Sequence, residues 1–207
     1  MAYLEDGIAL PEQPGAAGRK NVLLIGDSIR QGYCATVREA LADVANVRYP
    51  EENCRNTQYV LTALAGWATL SDPATVDVVH WNCGHWDVAH WGGSADSLTT
   101  PAEYRRNITA ILTRLHRMFP RARLIFATTT PMNPDGSVGA NPRTTAEIAR
   151  YNALAADAAR AAGVQINDLF AFARDWPSAR YRDYCHYTDE GFRQLGLRVA
   201  DVLREAL

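Results

Sequence analysis

The sequence Asn21-Val22-Leu23-Leu24-Ile25 is a short, unbroken apolar run that Gly26 ends. A run of this length next to a turn residue is typical of a strand buried on both faces of a parallel sheet. After Gly26-Asp27-Ser28, apolar side chains recur every four residues, at Ile29, Tyr33, Val37 and Leu41. This spacing predicts one face of a helix. The segment therefore predicts a buried strand that passes through a tight turn directly into a helix.

The same alternation continues along the chain. Further strands are predicted at 44–49, 77–81, 123–128 and 164–167. Between and after them the pattern predicts helices at 57–70, after the capping boxes that begin at Thr100 and Thr144, and after Thr188. Repeated strand–helix units predict an α/β fold, a parallel sheet with helices on both faces. In such a sheet, functional residues follow the carboxyl ends of the strands.

Length and composition limit the classes of function. The 207 residues predict one domain at 21–207 after an irregular lead-in at 1–20. A net charge of −2 gives no basic field for nucleic acid or for an anionic membrane. No apolar run is long enough to span a bilayer, and the first 20 residues lack the apolar core of a secretory signal. We therefore expect a cytoplasmic protein whose partner is a small molecule.

The four cysteines, Cys34, Cys54, Cys83 and Cys185, form no C-x-x-C pair. This disfavours zinc-ribbon and thioredoxin-like sites, and four reduced thiols are expected. The chain also lacks both the G-x-G-x-x-G pattern and the P-loop pattern. No cofactor and no metal are therefore predicted.

Ser28 follows the first strand, where free N–H groups at a helix start can stabilise an oxyanion, although a serine there can also simply cap the helix. A serine nucleophile needs a base. His186 lies three residues after Asp183, which could accept its ring N–H and fix its tautomer. Asp87 and His90 have the same spacing after the third strand, so local spacing alone does not separate the two pairs.

Gly26-Asp27-Ser28 after the first strand, with Asp183-x-x-His186 before the last helix, resembles the SGNH (GDSL) hydrolase superfamily. The resemblance covers most of the chain. It implies a flavodoxin-like three-layer α/β/α sandwich with five parallel strands in the order 2-1-3-4-5. It also implies that Ser28 is the nucleophile, His186 the general base and acid, and Asp183 the residue that orients His186.

The oxyanion-binding segments depart from the family pattern. The family usually has a glycine after strand two, but residues 52–57 contain none, so the backbone N–H of Cys54 is the expected donor, beside that of Ser28. After strand three, Trp86 stands where the family has asparagine. Asn82, in an H-x-N-x-G pattern like that of carbohydrate-esterase-like members, is expected to supply the missing amide. The indole N–H of Trp86 and a site of backbone donors alone are the alternatives.

Three residues are candidates for substrate binding: Arg30, Arg55 and Trp86. The arginines would suit an anionic sugar such as a uronate or sialate, because the guanidinium fork matches a carboxylate. Alternatively, Arg30 pairs with a nearby acidic residue. Trp81, Trp86 and Trp91 could stack on sugar rings or simply pack in a loop. The polar stretch 133–141 is a candidate for a mobile lid.

These features predict a metal-free serine esterase that acts through an acyl-enzyme on small acyl esters, in particular acetyl groups on a carbohydrate. A thioesterase or broad short-chain esterase with the same triad is the second hypothesis. A flavodoxin-like binding module without catalysis is the third.

Overall fold

The computed structural model describes residues 3–4, 7–8, 13, 15–136, 139 and 141–207. Its main sheet has five parallel strands, β1 (Lys20–Ile25), β2 (Ala45–Arg48), β3 (Val78–Trp81), β4 (Arg123–Ala127) and β5 (Gln165–Asn167). They lie in the order β2-β1-β3-β4-β5, which confirms the predicted topology. In the segment predicted as a lead-in, Tyr3–Leu4 pairs antiparallel with Gly7–Ile8, and the remainder of 1–12, with residue 14, lies outside the described residues.

Seven α-helices are described, α1 (Ser28–Ala40), α2 (Thr57–Ala68), α3 (His85–Val88), α4 (Pro101–Met118), α5 (Thr145–Ala161), α6 (Leu169–Ala173) and α7 (Asp189–Ala206). Helices α3 and α6 were not predicted, because one turn of helix is too short to show a period of 3.6 residues. Thr100 and Thr144 each form a complete capping box with the glutamate three residues later, as predicted. No described helix is both long and apolar enough to cross a membrane.

The sheet is buried on both faces. Alternate side chains of a strand point to opposite faces. Leu23 and Ile25 of β1 therefore join a core with α2, α4 and α5. Val22 and Leu24 join a second core with α1 and α7. These two cores explain why the central strand β1 is a continuous apolar run from Val22 to Ile25, and they give the predicted three layers.

Strand β1 lies between β2 and β3, so the chain leaves β1 toward one side of the sheet and later returns to the other side. Ligand sites in open parallel sheets form at such a switch point, beyond the carboxyl ends of the strands. The turn after β1, which carries Ser28, is at this position.

Candidate active site

Ser28 is the first residue of α1, three residues after β1 ends. The residue that caps the helix is Asp27, whose Oδ1 accepts the backbone N–H of Ile29 at 3.0 Å. The alternative that Ser28 is the capping residue is therefore wrong. Because Asp27 caps the helix, the Ser28 hydroxyl is available for another contact.

Gly26 allows the turns after β1 and β3 to approach each other. A Cβ atom at this position would lie 2.1 Å from Asn82 Oδ1 and 2.6 Å from Arg30 Cβ. Neither distance is compatible with a side chain, so only glycine fits. Because Gly26 has no side chain, Asn82 lies against the backbone of Gly26, two residues before Ser28.

The segment that carries Asp183 and His186 is a tight turn closed by its own backbone. Tyr181 and Tyr187 form an antiparallel bridge, and the N–H of Arg182 donates to the carbonyl of His186 at 2.8 Å. Inside the turn, Asp183 Oδ1 accepts the N–H groups of Cys185 at 2.9 Å and His186 at 2.8 Å. The Asp183 carboxylate is thus held in place by the backbone.

The structure brings Ser28, His186 and Asp183 into one hydrogen-bonded chain. Ser28 Oγ lies 2.8 Å from His186 Nε2, and His186 Nδ1 lies 2.8 Å from Asp183 Oδ2. The three side chains border a cavity of about 400 Å³, whose wall also includes Phe192. A hydroxyl, an imidazole and a carboxylate in this order form the geometry required for nucleophilic acyl transfer.

The pKa of Asp183 lies below its ordinary value. Partial burial acts to raise this pKa, but hydrogen bonds from the N–H groups of Cys185 and His186 and from the His186 ring outweigh it. The carboxyl group is therefore ionised at neutral pH. An ionised carboxylate beside Nδ1 stabilises an imidazolium on His186.

Asn82 is 4% exposed and follows β3 directly, next to Gly26. Burial raises the pKa of the neighbouring Asp27 carboxyl, whereas the N–H of Ile29 and the Asn82 amide act to lower it. Asn82 therefore lies beside the turn that carries Ser28. Its amide nitrogen carries two hydrogens, so the side chain can donate to an acceptor beside this turn.

The loop after β2 does not offer the donor that was predicted. The backbone N–H of Cys54 donates to the carbonyl of Gly26 at 3.1 Å, and that of Arg55 donates to Asn53 Oδ1 at 2.8 Å. Arg55 has a φ of 52°, the left-handed conformation that usually favours glycine. Cys54 is thus a structural link between two loops, which corrects its assignment as an oxyanion donor.

Arg30 is 1% exposed and lies beneath the site rather than in it. Its Nε and Nη2 donate to the carbonyl of Gly26, and Nη2 also donates to the carbonyl of Glu52 at 2.6 Å. The structure therefore contradicts the predicted contact of Arg30 with substrate. The alternative was that Arg30 pairs with the carboxylate of a nearby acidic residue. Its contact with Glu52 is instead with the backbone carbonyl.

Arg55 and Trp86 line a second cavity of about 530 Å³. The Arg55 guanidinium lies 4.7 Å from the ring centroid of Tyr59 and 6.0 Å from that of Trp86. The rings of Trp86 and Trp91 lie 4.8 Å apart, whereas Trp81 is fully buried in the core. This groove presents a cation between aromatic faces. Arg55 follows Cys54, whose N–H donates to the carbonyl of Gly26. This hydrogen bond connects one end of the groove to the turn that carries Ser28.

Asp87 and His90 are not brought together as a pair. Asp87 is fully buried and accepts hydrogen bonds from the N–H and the hydroxyl of Thr57, the latter at 2.6 Å. Burial raises the pKa of Asp87 to about 6. His90 instead contacts Glu147 at 2.9 Å. Asp87 therefore anchors the start of α2, and His90 links the segment after α3 to the first turn of α5.

Two residues from the loop before α5 were missed by the sequence analysis. Arg143 donates to His85 Nδ1 and to Cys185 Sγ, each at 3.3 Å. Asn133 contacts the turn that carries Asp183 and His186, through its N–H to the Tyr184 carbonyl at 2.9 Å and its amide to the Asp183 carbonyl at 3.1 Å. The stretch predicted as a lid is therefore attached at Asn133, while residues 137, 138 and 140 lie outside the described residues. No local pattern marks either contact, because each joins distant segments.

The fold and site agree with comparisons to known proteins. A model of the GDSL-like lipase/acylhydrolase family matches residues 24–194. No curated protein is similar enough to count as a match.

Solved structures with the same fold include a lipase/acylhydrolase from Enterococcus faecalis, with 18% identity, a TM-score of 0.71, and 90% of this chain and 96% of that chain covered. The acetyl xylan esterase AlAXEase has 18% identity and a TM-score of 0.71, with 88% and 99% covered. TesA has 18% identity and a TM-score of 0.67, with 91% and 100% covered.

The family model includes Gly26-Asp27-Ser28 and the Asp183–His186 turn, the two segments that carry the resemblance noted in the sequence. It extends over most of the 207 residues, and the observed strand order is the one that the resemblance implied. The chain belongs to the GDSL-like lipase/acylhydrolase family and is an ester hydrolase.

Proposed function

We propose that this protein is a serine esterase that removes small acyl groups, acetyl in particular, from a carbohydrate, with Ser28, His186 and Asp183 as its catalytic triad. The observation that carries the proposal is the unbroken chain of two 2.8 Å contacts from Ser28 Oγ through the imidazole to Asp183. This chain lies at the switch point of the sheet, where sites of this fold form.

In the first step, Ser28 Oγ attacks the ester carbonyl while His186 Nε2 takes the hydroxyl proton. Asp183 stabilises the resulting imidazolium through Nδ1–H. The imidazolium then gives its proton to the departing alcohol, which leaves an acyl group on Ser28. In the second step, His186 takes a proton from water, whose oxygen attacks the acyl carbon; the imidazolium then returns the proton to Ser28 Oγ as the Ser28–acyl bond breaks and the acid leaves.

The tetrahedral oxyanion needs donors that are not already in use. The N–H of Ser28 belongs to the first turn of α1, where N–H groups have no acceptor inside the helix and the dipole favours an anion. The Asn82 amide is the proposed second donor, since it lies next to Gly26 in the adjoining turn. Cys54 is left out because Gly26 already accepts its N–H. The indole N–H of Trp86 is the alternative.

The groove formed by Arg55, Tyr59, Trp86 and Trp91 is proposed to hold the alcohol part of the substrate. Aromatic faces bind the apolar faces of sugar rings, and an exposed guanidinium binds a carboxylate. The combination suits an acetylated sugar that carries a carboxylate, such as a uronate. The similarity of fold to an acetyl xylan esterase agrees with this proposal.

Labelling with a fluorophosphonate probe tests the triad. We expect one label on Ser28 in the wild-type protein and a loss of labelling of at least about 100-fold in His186→Ala, because the hydroxyl then lacks its base. His116→Ala is the matched control, since His116 bonds only its own helix at the carbonyl of Leu112. The measurement is mass spectrometry of the labelled peptide. A folded wild-type protein that takes no label would favour the binding module, and a label on cysteine would replace the proposed nucleophile.

Arg55→Ala tests the substrate class. We expect KM for an acetylated methyl glucuronoside to rise about tenfold, because a hydrogen-bonded carboxylate contact is lost, with kcat nearly unchanged. KM for the corresponding acetylated methyl glucoside should change little. Arg198→Ala removes an exposed charge on α7 and is the control. Equal effects on the two sugars would refute the carboxylate contact, and faster cleavage of acyl thioesters than of either sugar would favour the thioesterase hypothesis.

A further inference from the structure

The triad turn places three different metal-binding groups together. Asp183, Cys185 and His186 each offer a ligand atom, and these atoms all lie within 4.8 Å of one another. Cys185 Sγ is 3.7 Å from His186 Nδ1, and Asp183 Oδ2 is 2.8 Å from the same nitrogen. Both neighbours therefore lie on the side of the imidazole that faces away from Ser28. The proposed esterase mechanism uses the carboxylate and the ring but gives the thiol no role.

We propose that Asp183, Cys185 and His186 form a binding site for a single Zn²⁺ ion, and that this ion reversibly inhibits the enzyme. A sulfur, a ring nitrogen and a carboxylate oxygen are the three kinds of ligand that zinc takes in proteins. The inhibition rests on the proposed function, whereas the binding of the ion does not.

The separations fit a tetrahedral ion after small side-chain movements. Bonds of about 2.3 Å to sulfur and about 2.0–2.1 Å to nitrogen and oxygen place such ligands roughly 3.3–3.6 Å apart. The 3.7 Å between Sγ and Nδ1 is already close to this value. The 2.8 Å between Nδ1 and Oδ2 must widen, which a small rotation of the partly exposed His186 ring allows while Asp183 Oδ1 keeps its two backbone hydrogen bonds. Solvent can supply the fourth ligand on this open side.

The surroundings suit reversible binding rather than a permanent structural ion. Cys185 is 1% exposed and closes the inner side of the cluster, while the Asp183 and His186 side chains are 40% and 30% exposed and give access from solvent. Arg143 Nη2 lies 3.3 Å from Cys185 Sγ. Its guanidinium repels a cation, so it limits the affinity of the site for the ion.

Zinc at this site would disable the base. In the active form, the proton of the neutral imidazole is on Nδ1, toward Asp183, and Nε2 is free to accept the Ser28 proton. An ion bound to Nδ1 displaces that proton, and a neutral ring then carries its proton on Nε2. The Cys185 thiol loses its proton to solvent as the sulfur–zinc bond forms. One proton is released overall, and His186 can no longer act as general base.

Binding of Co²⁺, a spectroscopic substitute for zinc, tests the site without any turnover. We expect the full chain to bind one Co²⁺, with a thiolate-to-cobalt charge-transfer band that excess Zn²⁺ abolishes. Cys185→Ser should lose this band and bind Zn²⁺ at least about tenfold more weakly in calorimetry, because the sulfur ligand is gone. Cys34→Ser, which changes a buried thiol in α1, is the control and should keep both. A band that persists in Cys185→Ser would refute the assignment.

Inhibition by zinc is then measured as the rate of 4-nitrophenyl acetate hydrolysis. The rate of each protein with zinc is divided by the rate of the same protein without zinc. Wild type and Cys34→Ser should lose most of their activity at a zinc concentration that saturates the site and recover it with EDTA, whereas Cys185→Ser should need at least about tenfold more zinc. If the cobalt band depends on Cys185 but the protein hydrolyses no ester, the metal site is supported and the proposed function is refuted. Equal zinc sensitivity of all three proteins would refute the inhibitory site.

Discussion

Ser28→Ala is expected to lower kcat/KM for 4-nitrophenyl acetate by about 10⁶-fold, the scale of the loss when the nucleophile of a serine triad is removed. The expected cause is the loss of the proposed nucleophile, the Ser28 Oγ that lies 2.8 Å from His186 Nε2. The measurement is steady-state hydrolysis, with the chromogenic product followed by absorbance. KM is expected to change far less than kcat.

The fold should survive this substitution, so the loss can be assigned to chemistry. The cap of α1 is the Asp27 carboxylate and not the Ser28 hydroxyl, and alanine is a good helix former. Ser97→Ala is the matched control, because it also removes a serine hydroxyl, one that contacts Tyr151 and not His186. We expect both variants to unfold near the wild-type temperature and Ser97→Ala to keep its activity.

A residual rate of more than about 1% in Ser28→Ala would point to another nucleophile. The cysteines near the site are poor candidates because their thiols are buried. Burial raises the pKa of Cys54 to about 11 and that of Cys185 to about 11. Thiolate is the reactive form, so neither thiol attacks readily at neutral pH. All four cysteines are free in the structure, as the sequence predicted.

The sheet could be predicted from sequence because short segments with apolar residues alternate with helical patterns along the chain, most clearly at β1 and β3. Strand β1 was predicted to within one residue, since the apolar run of 21–25 and Gly26 fix its end. The order of the strands came from the resemblance to a family, because apolar runs do not specify their neighbours. Helix α2 ends at Ala68 rather than at residue 70, a usual uncertainty where the last turn frays.

The errors at the site have a common physical cause. Arg30 and Cys54 both lie in segments that face the site, and their residue types suited the roles assigned to them. Their actual contacts are hydrogen bonds to backbone carbonyls of segments more than 20 residues away, from the Cys54 N–H to Gly26 and from the Arg30 guanidinium to Glu52. Arg143 and Asn133 were missed for the same reason. Contacts of this kind leave no periodic pattern in the sequence.

Asp183→Asn should lower kcat by about 10⁴-fold, as the equivalent change does in a serine protease triad. The asparagine Oδ1 can still accept the N–H groups of Cys185 and His186, so the turn should keep its shape. Its amide nitrogen, however, would face His186 Nδ1 and donate to it. The ring would then carry its proton on Nε2, where it cannot accept the proton of Ser28. Hydrolysis of 4-nitrophenyl acetate under saturating substrate measures this effect.

Asp87→Asn is the control for Asp183→Asn. The Asp87–His90 pair has the same spacing as the Asp183–His186 pair and follows a strand of the sheet. Asp87 is buried against Thr57 and His90 contacts Glu147, so neither side chain completes a chain to Ser28. We expect kcat of Asp87→Asn to stay within about threefold of wild type, with any cost appearing in thermal stability, where a buried hydrogen-bonded carboxylate has been altered. If Asp87→Asn abolishes activity in a folded protein while Asp183→Asn remains active, then the carboxylate that orients the base lies after β3, and the turn at 181–187 is structural.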